Sequence, residues 1–185
     1  GIININTFSG NVADQTKSAL LSIDKATGGK PLGYVVDLRS NPGGLLDQAI
    51  EVSDAFLNQG EIVSQRGREK NDIERYYARP GDMAHGLPVI VLVDAGTASA
   101  SEIVAGALQD HRRALIMGEK SFGKGSVQTV VQTGPQSALR LTTARYYTPS
   151  GKSVQAGGID PDIVVPQLSD PDYKDRPRIR EADLR

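Results

Sequence analysis

The chain has 185 residues, of which 38% are hydrophobic, and carries 21 Lys and Arg against 22 Asp and Glu. That is enough apolar material to bury one core, and a net charge of -1 leaves no surplus positive charge for a phosphate backbone, which argues against nucleic acid as a partner. The lack of cysteine removes disulfides, thiolate metal sites and a Cys nucleophile, and only His85 and His111 remain as histidine bases.

Alternating Ile3, Ile5 and Thr7 predict a strand that closes at Phe8-Ser9-Gly10. So abrupt a start reads as a fragment of a longer protein. No run of 18 apolar residues occurs, and the N-terminus lacks a charged-then-apolar leader. Val12, Thr16, Ala19, Leu20 and Ile23 recur at helical spacing, with Asn11 as cap and Gly28-Gly29 as stop. A short strand, Tyr34 to Arg39, runs into the loop Ser40-Asn41-Pro42-Gly43-Gly44. Leu46 to Leu57 then form a second amphipathic helix that ends at Gly60.

Residues 61–79 read as a polar hairpin with Ile62-Val63 and Ile73 to Tyr77 as arms. Leu87 to Val93 is apolar and short, as expected of a buried strand in a mostly parallel sheet. A helix over Ala100 to Asp110 and strands over Ala114 to Met117, Ser126 to Thr133 and Ala138 to Thr148 complete an α/β pattern. From Gln167 the composition turns to Asp, Arg, Lys and Pro, a tail with a short helix at Glu181 to Leu184.

Two segments carry chemistry. In Gly96-Thr97-Ala98-Ser99-Ala100-Ser101-Glu102, small residues leave Ser99 uncrowded where a strand enters a helix. Unpaired amides at that helix start suit an oxyanion, with Ala100 as one donor. Gly43-Gly44, also after a strand, can bring up a second amide because no side chain intervenes. On spacing alone Ser101 competes as nucleophile, and Ser99-x-x-Glu102 is also a capping box whose hydroxyl serves only the helix.

A serine needs a base, and Lys124 lies between glycines in Phe122-Gly123-Lys124-Gly125. Burial near Phe122 would lower its pKa until the neutral amine accepts a proton. If the segment is extended, Gln128 shares a face with Lys124 and can hold the amine by a hydrogen bond. The alternative is a solvated turn lysine. Gly118-x4-Gly123-Lys124 also nearly matches a phosphate-binding loop, but Gly125 replaces the magnesium-binding hydroxyl and a strand follows where a helix is required. His111 reads as a helix-end cap, His85 as solvent-facing, Asp37 as a loop-positioning residue and Asp110 as a support for the lysine segment. No His, Asp and Glu cluster has metal-ligand spacing.

Four motifs then stand in order: Asp37-Leu38-Arg39-x-Asn41-Pro42-Gly43-Gly44, Thr97-Ala98-Ser99-Ala100-Ser101-Glu102, Phe122-Gly123-Lys124-Gly125-x-x-Gln128 and Tyr146-Tyr147-Thr148-Pro149-x-Gly151. With them the chain, from about Ile2 to Pro166, resembles the carboxyl-terminal processing (tail-specific) proteases. The resemblance implies a crotonase-like (ClpP/crotonase) superhelix, with a protease core over residues 1–166 and a charged tail or linker over residues 167–185. It implies a catalytic set of Ser99, Lys124 and Gln128, selects Ser99 over Ser101, and builds the oxyanion hole from the amides of Ala100 and Gly44. It further implies cleavage of polypeptides near their C-terminus without cofactor or metal, and a regulatory or adaptor partner. Family members usually carry a PDZ domain, which this chain lacks and its parent is expected to have. The implied location is a bacterial periplasm or cell envelope, or a chloroplast lumen. Two other functions compete, a non-catalytic peptide-binding module and a crotonase-like acyl-CoA enzyme.

Overall fold

In chain order the elements are β1 (Ile2–Asn4), α1 (Val12–Ala26), β2 (Tyr34–Asp37), α2 (Leu46–Asp54), β3 (Glu61–Arg66), β4 (Ile73–Tyr77), β5 (Val89–Val93), α3 (Ala100–Asp110), β6 (Leu115–Gly118), β7 (Ser126–Gly134), β8 (Ser137–Tyr147) and β9 (Ile163–Val164), then a 3-10 turn at Glu181–Asp183. The structure is a computed structural model and describes residues 1–166 and 179–184.

The β-branched runs, too short for helices, pair into a parallel sheet of order β1-β2-β5-β6-β9. Strand periodicity puts Ile3, Val36, Val91 and Ile116 in one register row, and all four are buried. The neighbouring row, Ile2, Val35, Ile90 and Leu115, faces the other way, and its outer members Ile2 and Leu115 are exposed. One apolar face thus makes the core, with α1 and α3 filling the crossovers between parallel strands. Helix α3 is mostly apolar and buried from Ala100 to Leu108, so it packs on several elements at once. At Gly106 the absence of a side chain admits the Thr148 side chain, since a Cβ there would lie 2.8 Å from its Cγ2.

A second sheet, antiparallel and ordered β4-β3-β8-β7, follows from the hairpins. The expected polar hairpin over residues 61–79 is therefore part of a larger unit. Its arm β3 buries Ile62 and Val63 and also pairs with β8. The far part of the β7–β8 hairpin stands clear of the core, with Val130, Val131, Leu139 and Leu141 exposed.

Four local expectations shift, and one short strand was not expected. The first strand ends at Asn4, because beyond Ile5, whose amide still donates to the Asp37 carbonyl at 3.0 Å, the chain pairs only through an isolated bridge from Phe8 to Gly44. Asn11 occupies the start of α1 without a side-chain capping bond. Helix α2 stops at Asp54, and Phe56 and Leu57 tuck into the core through turns back to Ser53 and Asp54. The two-residue β9 had no periodicity to announce it. The expected short helix near Glu181 is a single 3-10 turn, and the tail residues 167–178 and 185 lie outside the described residues.

Candidate active site

Parallel strands deliver their outgoing loops to one rim of the sheet. Three of these loops, at residues 38–45 after β2, 94–99 after β5 and 119–125 after β6, meet there through buried polar side chains. Asn41, Thr97, Ser101, Glu102 and Ser121 are each 0% exposed, yet all find partners, as burial of polar groups demands. Asn41 Nδ2 donates to the Ile5 carbonyl at 2.6 Å, and its Oδ1 accepts the Gly43 amide at 2.9 Å. The Asn41 carbonyl accepts the Ala98 amide at 2.9 Å and the Ser101 hydroxyl at 3.0 Å. Thr97 Oγ1 donates to the Leu38 carbonyl at 2.8 Å, and Asp94 takes the amides of Ser40 and Gly96. The glycine loop and the serine turn are thereby one unit.

At the apex of that unit Ser99 has φ 58° and ψ -116°, a left-handed conformation that costs a non-glycine residue about 1–3 kcal/mol and is held only because its surroundings fix it. Ser99 and Glu102 occupy the two ends of a capping box at the start of α3. Its carboxylate half is well made, the Ser99 amide donating to Glu102 Oε2 at 2.8 Å. The Glu102 amide is 2.9 Å from the Ser99 carbonyl oxygen. Gly43, at φ 99°, presses on this turn: a Cβ there would lie 2.7 Å from the Ala98 oxygen and 2.9 Å from the Ala100 nitrogen. Among the described residues neither the Ala100 nor the Gly44 amide donates to a protein group, and Gly44 is exposed.

Glu102 also holds the third loop. Its Oε1 accepts the Ser121 hydroxyl at 2.5 Å and the Gly123 amide at 2.7 Å, and Oε2 accepts the Lys124 amide at 2.8 Å. One carboxylate oxygen therefore binds the amides of both Ser99 and Lys124, so the two backbone nitrogens stand within about 6 Å of each other. Burial pushes the Glu102 carboxyl above its ordinary range, opposed by the bonds from Ser121, Ser99, Gly123 and Lys124. Other groups of the loop are also engaged: the Phe122 amide donates to Thr97, the Gly123 carbonyl accepts from Ala156, and the Gly125 carbonyl accepts from Tyr146. Residues 121–125 are thus pinned without belonging to any strand.

Ser101, the competing nucleophile, is buried and committed to Asn41, whereas Ser99 is half-buried and reachable. Lys124 departs from expectation: its side chain is exposed rather than packed near Phe122, because the glycines on either side are the residues turned inward. Lys124 lies two residues ahead of β7, and Gln128 stands on β7 opposite a bulge formed by the partner strand β8, where Val127 pairs with Ala144 and Gln128 with Thr142. Gln128 is exposed. Asp37 does position a loop, its Oδ1 and Oδ2 taking the Arg39 guanidinium at 2.9 and 2.6 Å. Asp110 supports a different turn from the one expected, accepting the Ser150 amide at 2.9 Å. His111 ends α3 with Nε2 2.7 Å from the Glu61 carbonyl, and His85 is exposed. The role of Glu102 beyond capping was not anticipated; a carboxylate in the first turn of a mostly apolar helix was its signal.

The family model for peptidase family S41 matches residues 1–165, a span that contains all three loops. The chain belongs to peptidase family S41. Curated S41-like relatives include a carboxy-terminal-processing protease of Bartonella bacilliformis, 58% identical over 94% of this chain and 40% of its own length. A carboxyl-terminal-processing protease of Picosynechococcus is 41% identical over 90% of this chain and 39% of its length. Among solved structures, a photosystem II D1 C-terminal processing protease superposes with a TM-score of 0.82 at 36% identity, covering 89% of this chain and 42% of that one. This S41 chain spans about two fifths of the length of these relatives. The α/β architecture described above is the one the S41 family shares.

Proposed function

We propose that this chain is the peptide-bond-cleaving core of a carboxyl-terminal processing protease, with Ser99 as nucleophile and Lys124 as general base. The observation that supports it best is the shared grip of Glu102 on the Ser99 and Lys124 amides beside two amides, Ala100 and Gly44, that donate to no protein group among the described residues. Ser99 Oγ attacks the scissile carbonyl carbon while its proton passes to the neutral amine of Lys124. The tetrahedral oxyanion is held by the Ala100 and Gly44 amides, each donor of this kind being worth about 10²–10³ in rate. As the C–N bond breaks, the leaving amine takes the proton from Lys124. Water then attacks the ester, gives a proton to Lys124, and the acid departs as that proton returns to Ser99. A polypeptide laid across Ser99 covers the exposed Lys124. Gln128, close in sequence on β7, steadies that amine once substrate is bound.

The expected substrates are polypeptides cut near an apolar C-terminus, and no cofactor enters the chemistry. On the same reading the strand-helix units form the crotonase-like superhelix, residues 1–166 are the catalytic core, and a PDZ domain in the parent chain together with a regulatory or adaptor protein presents substrate. The parent acts in the periplasm or cell envelope of a bacterium. The test is cleavage of an unstructured polypeptide with an apolar C-terminus by the full-length protein and by its Ser99→Ala and Lys124→Ala variants. Loss in both supports the mechanism, and cleavage that survives Ser99→Ala overturns it.

A further inference from the structure

The lysine loop is gripped from two sides. Inside, Glu102 holds it from α3. Outside, residues 179–184 return to it: the Glu181 amide donates to the Phe122 carbonyl at 3.1 Å, and Glu181 Oε1 accepts from Gln155 Nε2 at 3.0 Å. Gln155 completes the link, because its Oε1 accepts the Gly125 amide at 2.9 Å. Phe122 and Gly125 flank Lys124, so a single residue of the C-terminal segment, directly and through Gln155, fastens the chain before and after the base.

The two grips differ in kind. Glu102 is fully buried and its bonds are charge-assisted, while Gln155 and Glu181 are half-buried, where water competes for every bond. The outer grip is thus the weaker and opens first. It is also the one that reaches Gly125, the residue through which Lys124 enters β7.

We propose that Glu181 is a positioning residue for Lys124: docked through Gln155, the C-terminal segment seats the lysine loop for acylation, and its release unseats the base. The proposal rests on the reading of Lys124 as general base. The link touches neither Ser99 nor the oxyanion amides, so it affects the turnover of bound substrate more than binding.

The experiment measures kcat and KM for polypeptide cleavage by the full-length protein, normalised to sites titrated with a fluorophosphonate. Glu181→Ala and Gln155→Ala are each expected to lower kcat about tenfold with KM within about twofold, and the double variant to be no worse than Gln155→Ala alone, because both break one connection. Glu181→Gln keeps an oxygen acceptor for Gln155 and is expected to restore kcat to within about twofold of the parent. Normal kcat in Glu181→Ala beside an inert Ser99→Ala refutes the link and leaves the catalytic reading standing. Cleavage by Ser99→Ala removes that reading and the proposal with it.

Discussion

Replacing Glu102 with Gln tests whether one carboxylate holds the serine turn and the lysine loop together. Four donors converge on it, three of them backbone amides that cannot turn away. A glutamine keeps one acceptor oxygen and sets an NH2 group where the other oxygen was. The less costly orientation turns that NH2 toward Ser121, whose hydroxyl can reverse and accept, and leaves the buried Gly123 amide without a partner. One orphaned donor costs about 1–3 kcal/mol. That is a large share of the roughly 5–15 kcal/mol available to such a domain. The sign of the pH dependence follows from burial. With its carboxyl raised above the ordinary range, the folded protein holds the Glu102 proton more tightly than the unfolded chain does. This contribution to stability therefore falls as pH rises from the ordinary carboxylate range through the raised value. Glutamine does not titrate, so the deficit of Glu102→Gln is greatest at the acid end of that window and narrows as pH rises. Urea denaturation of both proteins at about pH 4 and about pH 8 measures it. Equal stability within about 0.5 kcal/mol at both values, or a deficit that widens with pH, refutes the reasoning.

Two further outcomes follow from local geometry. Ser99→Gly relieves the positive φ of 58°, so it should raise stability by about 1 kcal/mol, seen as a Tm increase of about 2–4 °C, while abolishing cleavage; a lower Tm would show that the turn is unstrained. Arg39→Met removes the guanidinium whose hydrogen bonds hold the Asp37 carboxyl below the ordinary range. The Asp37 contribution is present above that range and lost as pH falls through the lowered value, so the variant should unfold in acid at a higher pH than the parent; an unmoved acid midpoint would count against the pair.

Much of the fold was legible because its elements carry strong periods. Helix α3 begins at Ala100 and ends at Asp110 as the spacing of its apolar residues dictates, and β5 and β8 fall within two residues of expectation. The division into a parallel and an antiparallel sheet was not legible, because β3 chooses β8 as its second neighbour by packing rather than by any local signal. At the candidate site, Ser99 and Lys124 were singled out by the side chains that a nucleophile and a base require, and the structure ties their amides to one carboxylate. Their exposure could not be read in the same way: the same glycines that marked Lys124 as special also turn it toward solvent. Glu102 was readable as a cap three residues from Ser99, but its other partners lie 19 to 22 positions along the chain. Gln155 and Glu181 have no signature at all, since a glutamine that bridges two distant segments looks like any surface glutamine.

All of the assembled chemistry sits on the rim where parallel strands end, and the opposite rim, where they begin, has been left idle. Its connection ahead of β2 shows how idle: Gly28 and Gly29 have open space where a side chain would project, and Leu32 is 94% exposed. The chain can accept an inserted module, or be cut and rejoined, at residues 28–32 without disturbing the three loops that meet at the other rim. A change of chain length at one end of the sheet thereby leaves the loops at the other end in place.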